Sequence, residues 1–304
     1  MGESRHMSWS FEIAAGPVGF TEGPAWAGQA LFFSDIPSSR ILRYDPHTRA
    51  TSVYREGTHE GNGLMFDARG RLYGCQGGTG EGEGRRVVRY EPDASVTVVA
   101  DRFEGKRLNS PNDLAFDQEG RLWFTDPRYG DVRSDMELDH ESVFRCQERA
   151  DGSWSIQRMT FDTTRPNGLL ISEDQETLYV AQSEYGVDRK RELRAYTIRP
   201  DGTLGEHSVL HNFYPHRGID GMCLDDEGNI IATAGWQQSG PGPMIYVFAP
   251  NGRVLETHPV PFDRPTNCTW GGPDLRTLYV TVATGHLLAV QTGRRGYLIY
   301  PAGR

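Results

Sequence analysis

The sequence predicts an all-β fold, a six-bladed β-propeller with four antiparallel strands per blade. Three observations predict it. A short strand-opening segment recurs at a spacing of about 50 residues. Each repeat divides into four brief β-rich runs, and no window carries sustained helical periodicity over three turns.

The recurring segment is a turn followed by an apolar doublet. In chain order it reads Ala30-Leu31-Phe32-Phe33, Gly70-Arg71-Leu72-Tyr73, Gly120-Arg121-Leu122-Trp123, Glu176-Thr177-Leu178-Tyr179, Gly228-Asn229-Ile230-Ile231 and Arg276-Thr277-Leu278-Tyr279. The doublets begin at 31, 72, 122, 178, 230 and 278, so the steps are 41, 50, 56, 52 and 48 residues and six units fill the chain.

The second unit shows the internal plan. Its runs are Gly63-Leu64-Met65-Phe66-Asp67, Leu72-Tyr73-Gly74-Cys75, Arg86-Val87-Val88-Arg89-Tyr90 and Val96-Thr97-Val98-Val99-Ala100, separated by turn residues. The glycine-rich stretch from Gly74 to Gly84 lacks the GK[ST] ending of a phosphate loop and no helix follows, so it reads as a long hairpin turn. The last unit lacks one outer strand, which Phe11-Glu12-Ile13-Ala14 supplies from the N-terminal side. A pair of β-sandwiches would not produce so regular a period.

The 304 residues are 37% apolar and 24% charged, a globular balance, with 36 Gly and 18 Pro suited to many turns. We read residues 1–7 as an expression scar and disordered N-terminus, and 8–304 as a single propeller domain. The net charge of −9 opposes a nucleic-acid partner. The basic residues Arg85, Arg86, Arg89, Arg189, Lys190 and Arg191 read as solvated turns. Cys75, Cys146, Cys223 and Cys268 form no CxxC pair, which suits buried thiols in a reduced, cytoplasmic protein. No apolar run is long enough to span a membrane, and no signal peptide is visible. A monomer or weak homo-oligomer is expected. Trp26, Trp123, Trp236 and Trp270 read as packing between blades.

Nine to eleven residues before each doublet stands an acid or carboxamide: Glu22, Asn62, Asn112, Asn167, Asp220 and Asn267. In five of the six, apolar residues follow at +2 and +4, the period of a strand. Each therefore stands at the entrance of the innermost strand of its blade, and rotation about the ring brings all six toward the channel axis. Turn chemistry alone would also admit Ser, Gly or Pro there. Six side-chain oxygens suit a hard divalent cation, calcium first, with magnesium, manganese, zinc or ferrous iron also tolerated. A cation would also relieve the repulsion between the two acids.

At these residues the chain resembles the SMP-30/gluconolactonase/luciferin-regenerating-enzyme family, in its bacterial gluconolactonase-like branch. The matching stretches are Phe20 to Trp26, Gly61 to Leu64, Glu104 to Leu114, Phe124 to Gly130, Arg165 to Leu169 and Gly218 to Met222. The resemblance implies a six-bladed propeller whose metal is held by Glu22, Asn167 and Asp220. Asn112 touches the metal or the substrate, and Asp220 serves as the catalytic acid/base. An arginine that contacts sugars in animal members is replaced here by Ser110, and Arg107 could substitute only by another route. Asn62, Asn112 and Tyr129 are substrate-binding candidates, and His216 and Asn267 are further candidates for the mouth. The expected function is metal-dependent hydrolysis of a small lactone, most readily a sugar-acid lactone. The alternatives are phosphotriester cleavage of the diisopropylfluorophosphatase type and a non-catalytic calcium-binding propeller.

Overall fold

A computed structural model describes residues 8–78, 82, 84–184 and 190–301. The expected scar at 1–7, Arg189 and part of the glycine-rich turn lie outside the described residues. Within them the chain forms strands and no helix. No helix is long and apolar enough to cross a membrane.

Six antiparallel sheets form the blades. Their innermost strands are Thr21–Trp26, Gly61–Phe66, Leu114–Phe116, Pro166–Ile171, Ile219–Asp225 and Pro265–Gly271. Each of these touches the corresponding strand of the next blade, and the last touches the first, so the ring closes. The second strands, Leu31–Asp35, Leu72–Gln76, Leu122–Asp126, Thr177–Gln182, Ile230–Trp236 and Thr277–Val282, open on the recurrent doublets. They are buried almost throughout because a neighbouring blade covers each face. Outer strands such as Ala50–Glu56 are largely exposed.

Six apolar clusters fill the six spaces between blades. Tyr73, Phe116, Phe124 and Phe144 pack between the second and third blades, and Trp270 with Val280 between the fifth and sixth. Burying each such side chain contributes about 1.5–3 kcal/mol, which is why every blade depends on its neighbours. Trp26, Trp123 and Trp270 are buried there as expected, while Trp236 is half-buried and donates from its indole to Ser239 Oγ at 2.7 Å.

The missing outer strand of the sixth blade comes from the N-terminal side. Glu12–Ala15 pairs antiparallel with Leu287–Gln291, one residue further along than the sequence suggests. At the other terminus Gly296–Tyr297 pairs with Leu224 and Asp225 on the channel side of blade five. From there Leu298, Ile299 and Tyr300 pack against three further inter-blade clusters, so the segment lies as a plug across the end of the channel away from Asp220. Between plug and polar ring lies a cavity of about 110 Å³, lined by Leu64, Leu114, Leu169, Cys223 and Cys268 among others.

The four cysteines are buried and free. The solvated-turn expectation fails for Arg85 and Arg191, both of which are buried. Arg85 Nε donates to the Leu108 carbonyl at 2.7 Å, and Arg191 Nε to that of Glu184 at 3.0 Å. Loop carbonyls have no ladder partner, and a guanidinium with five donors supplies one.

Candidate active site

The ring residues lie where the innermost strands depart from regular pairing. Register breaks fall between Glu22 and Ala25, Gly61 and Leu64, Pro166 and Leu169, Ile219 and Met222, and Pro265 and Asn267. A bulge of this kind re-aims a side chain and releases backbone groups from the ladder.

Second-strand residues satisfy the released groups. Ser34 Oγ donates to the Asn62 carbonyl at 2.6 Å, Thr233 Oγ1 to that of Thr266 at 2.9 Å, and Thr281 Oγ1 to that of Asn267 at 3.2 Å. Thr125 Oγ1 accepts from the Asp113 N–H at 3.1 Å. All four occupy the position three residues into the doublet strand. Each buried bond contributes about 1 kcal/mol and fixes the bulge.

The residue that ends the second strand anchors the approach loop. Asp35 Oδ1 accepts from Gly19 and Phe20 N–H at 3.1 and 3.4 Å, just before Glu22. Asp126 accepts from Asn109 and Ser110 N–H, both at 2.8 Å, just before Asn112. Gln182 Oε1 accepts from Thr164 N–H at 3.4 Å, ahead of Asn167.

Glycine follows the ring residue in four blades because the innermost strands nearly touch. A Cβ on Gly23 would lie 2.3 Å from the Asn62 carbonyl oxygen, and one on Gly168 2.5 Å from that of Asp220. On Gly221 it would meet the Asn267 side chain at 2.1 Å.

Glu22, Asn112, Asn167, Asp220 and Asn267 are buried, and Asn62 is half-buried. Glu22 Oε2 accepts from Gly23 N–H at 2.6 Å. Asn167 Nδ2 donates to the Tyr129 hydroxyl at 2.7 Å. Tyr129 is half-buried, with the Arg165 guanidinium 5.2 Å above its ring. Glu22 and Asp220 also lie close enough for the charge of one to act on the other.

Two participants were not singled out in the sequence. Asp113 is buried, accepts from Leu114 N–H at 2.9 Å, and accepts from Asn267 Nδ2 at 3.2 Å. It occupies the position that is glycine in four other blades, and that substitution was its visible signal. Arg217 is buried and forms a close ion pair with Asp220 Oδ2. Its Nη1 also donates to the carbonyls of Gly235 and Pro265 at 3.0 and 3.2 Å. Its position three residues before Asp220 carries no periodic signal, since the stretch is a loop.

Burial drives the electrostatics. It raises the Glu22 carboxyl well above the usual range, and the charges of Asp220 and Asp113 raise it further, against the Gly23 and Asn267 donors. Burial likewise raises Asp220, opposed chiefly by Arg217. Asp113 is pushed up to about 7, again by burial first. Away from the ring, burial lifts Asp126 to about 7 despite its two backbone donors.

The donor set suits a hard cation. Among the described residues no three His, Cys, Asp or Glu side chains converge as a metal centre, but this ring mixes two acids with carboxamides. Asn62 Oδ1 is buried without a hydrogen-bond partner. An orphaned carbonyl oxygen in the same ring as two buried carboxylates is chemistry that Ca²⁺ or a similar ion satisfies. Glu22, Asn112, Asn167 and Asp220 could hold it.

Other candidates lie elsewhere or take part differently. Ser110 is tied through its N–H to Asp126. Arg107 is held in the short hairpin of Arg102–Phe103 and Lys106–Arg107, donating to the Gly82 carbonyl at 3.0 Å. The His216 ring packs against Gly240, where a Cβ would come within 2.6 Å of it.

Comparison with known proteins agrees with this architecture. The model of the SMP-30/Gluconolactonase/LRE-like region matches residues 20–284. A gluconolactonase of Zymomonas mobilis is 30% identical over 94% of this chain and 82% of its own length. A pentonolactonase of Haloferax volcanii is 29% identical over 87% of this chain and 81% of its own length. The solved structure of a gluconolactonase from Xanthomonas campestris superposes with a TM-score of 0.79 at 32% identity, covering 93% of this chain and 89% of that one. With its ring of bulged inner strands and its matched motifs, the chain belongs to the SMP-30/gluconolactonase/LRE-like family.

Proposed function

We propose that this protein hydrolyses a small lactone, a sugar-acid lactone in the first instance, at a divalent metal held by Glu22, Asn112, Asn167 and Asp220. The observation that carries this reading is the confinement of two buried acids, Glu22 and Asp220, among carboxamides in a channel plugged at its far end. The gluconolactonase and pentonolactonase relatives support the substrate class. Calcium suits the oxygen ligands best, and magnesium, manganese, zinc or ferrous iron would also be accepted.

A bound divalent metal supplies Lewis-acid polarisation of the lactone carbonyl. Asp220 takes a proton from the attacking water as the water oxygen adds to the carbonyl carbon. It returns that proton to the ring oxygen as the C–O bond breaks, which leaves the open hydroxy acid. Arg217 occupies Asp220 Oδ2, so Oδ1 is the proton acceptor. Asn62, Asn112 and Tyr129 hold substrate hydroxyls, and Asn167 is oriented for its role by Tyr129.

The test is a pH-indicator assay on a panel of lactones and a phosphotriester, with and without chelator. Lactone turnover that is lost on chelation and restored by a divalent ion is expected. Full lactone turnover in metal-stripped protein overturns the metal assignment. Phosphotriester cleavage alone overturns the substrate class. Metal-dependent stability without any turnover identifies a non-catalytic propeller.

A further inference from the structure

The polar ring gathers three buried acids, Glu22, Asp113 and Asp220, from the first, third and fifth blades. Without a cation, three carboxylates at this density would repel strongly, since Coulomb energies rise as water is excluded. A guanidinium is already built into the wall. Arg217 is 4% exposed and binds Asp220 Oδ2 directly. It is anchored by the carbonyls of Gly235, in the second strand of blade five, and of Pro265, the first residue of the innermost strand of blade six. Those anchors hold the cation at the blade 5–6 seam, and guanidinium keeps its charge at any working pH.

We propose that Arg217 is a resident countercharge for the metal site, and so a positioning residue rather than a catalytic one. It compensates Asp220 when no metal is bound, which lets the propeller fold empty. It weakens metal affinity in exchange, because a fixed positive charge stands beside the ligand. The inference rests on the metal reading above.

The competing role is a plain staple between blades five and six. Arg217→Met keeps the apolar stem and removes the charge, while Arg217→Lys keeps the charge and loses the fork. Thermal melts with chelator and with saturating Ca²⁺, and calorimetric Ca²⁺ titrations at pH 8.5, separate the two roles. The countercharge predicts that Arg217→Met lowers the metal-free Tm more than the metal-loaded Tm. The Ca²⁺-induced shift then grows, and Kd tightens by at least about threefold. Arg217→Lys should keep the wild-type shift and Kd. An equal fall in both melts, with unchanged Kd, or a weakened Kd in the Met variant, overturns the countercharge and leaves the staple. If Arg217→Met does not fold with or without Ca²⁺, the Lys variant decides. A wild-type Kd and shift then support the charge, whatever the absolute Tm, and a changed Kd or shift overturns it. If Ca²⁺, Mg²⁺, Mn²⁺ and Zn²⁺ all fail to bind the wild-type protein, the metal reading falls and this inference with it.

Discussion

Asn267 in the sixth blade donates a 3.2 Å hydrogen bond to Asp113 in the third, joining blades that face each other across the channel. The same amide side chain also favours the charged form of Glu22 in the first blade. One carboxamide therefore serves two buried acids. Asn267→Ala should destabilise the protein by about 1–3 kcal/mol, the cost of leaving a buried acceptor unsatisfied. Adding Asp113→Asn should recover part of that loss. Denaturant melts of the single and double variants measure the coupling, and strictly additive values would show that the bond contributes nothing.

The glycines after the ring residues predict a steric contrast. Gly221→Ala would bring a Cβ to 2.1 Å from Asn267. It should cost about 1–3 kcal/mol as the inner strands are forced apart, and should reduce turnover by displacing Asn267. Gly293→Ala meets nothing within 4 Å and should leave both melting temperature and rate unchanged.

Asp126 predicts a pH dependence. Its carboxyl is raised from near 3.9 to about 7 by burial. A raised acid adds stability below its unfolded pKa and loses it as pH climbs to the folded one. Metal-free protein should therefore lose up to about 4 kcal/mol through this group between pH 4 and 7. Asp126→Asn should flatten that slope in denaturant melts. An unchanged slope would mean that the carboxyl titrates normally.

Asp220→Asn should abolish lactone turnover and also lower stability by about 3–5 kcal/mol in the metal-free protein, because the buried Arg217 charge loses its counter-ion. Tyr129→Phe removes the acceptor of the 2.7 Å bond from Asn167, and a milder loss of roughly 3- to 10-fold in kcat/KM is expected for one lost hydrogen bond. Steady-state kinetics on the preferred lactone check both.

Much of this was legible in the sequence. The doublets mark the second strands because those strands are covered on both faces and must be apolar there. The ring residues share a register because equivalent places in rotated blades meet on one axis. Asp113 was harder to read, since strict alternation sends the residue after a ring position away from the channel, and Asp113 lies just ahead of the paired strand Leu114–Phe116, where alternation does not apply. Arg217 was invisible for a different reason. Its partners are a carboxylate three residues on and carbonyls of two strands, contacts that only the folded chain brings together. Arg85 and Arg191 were misjudged because turn signals report local backbone shape, not whether a loop is covered by its neighbours.

The outer strand of the sixth blade has a consequence for biosynthesis. Glu12–Ala15 leaves the ribosome before every other blade strand, yet its partner, Leu287–Gln291, follows all of them. Five blades can assemble in order during elongation, but the circle cannot lock until the sixth blade has been made. The nascent chain must carry an unpaired strand edge throughout. Any delay before the sixth blade is made leaves that edge open to other chains.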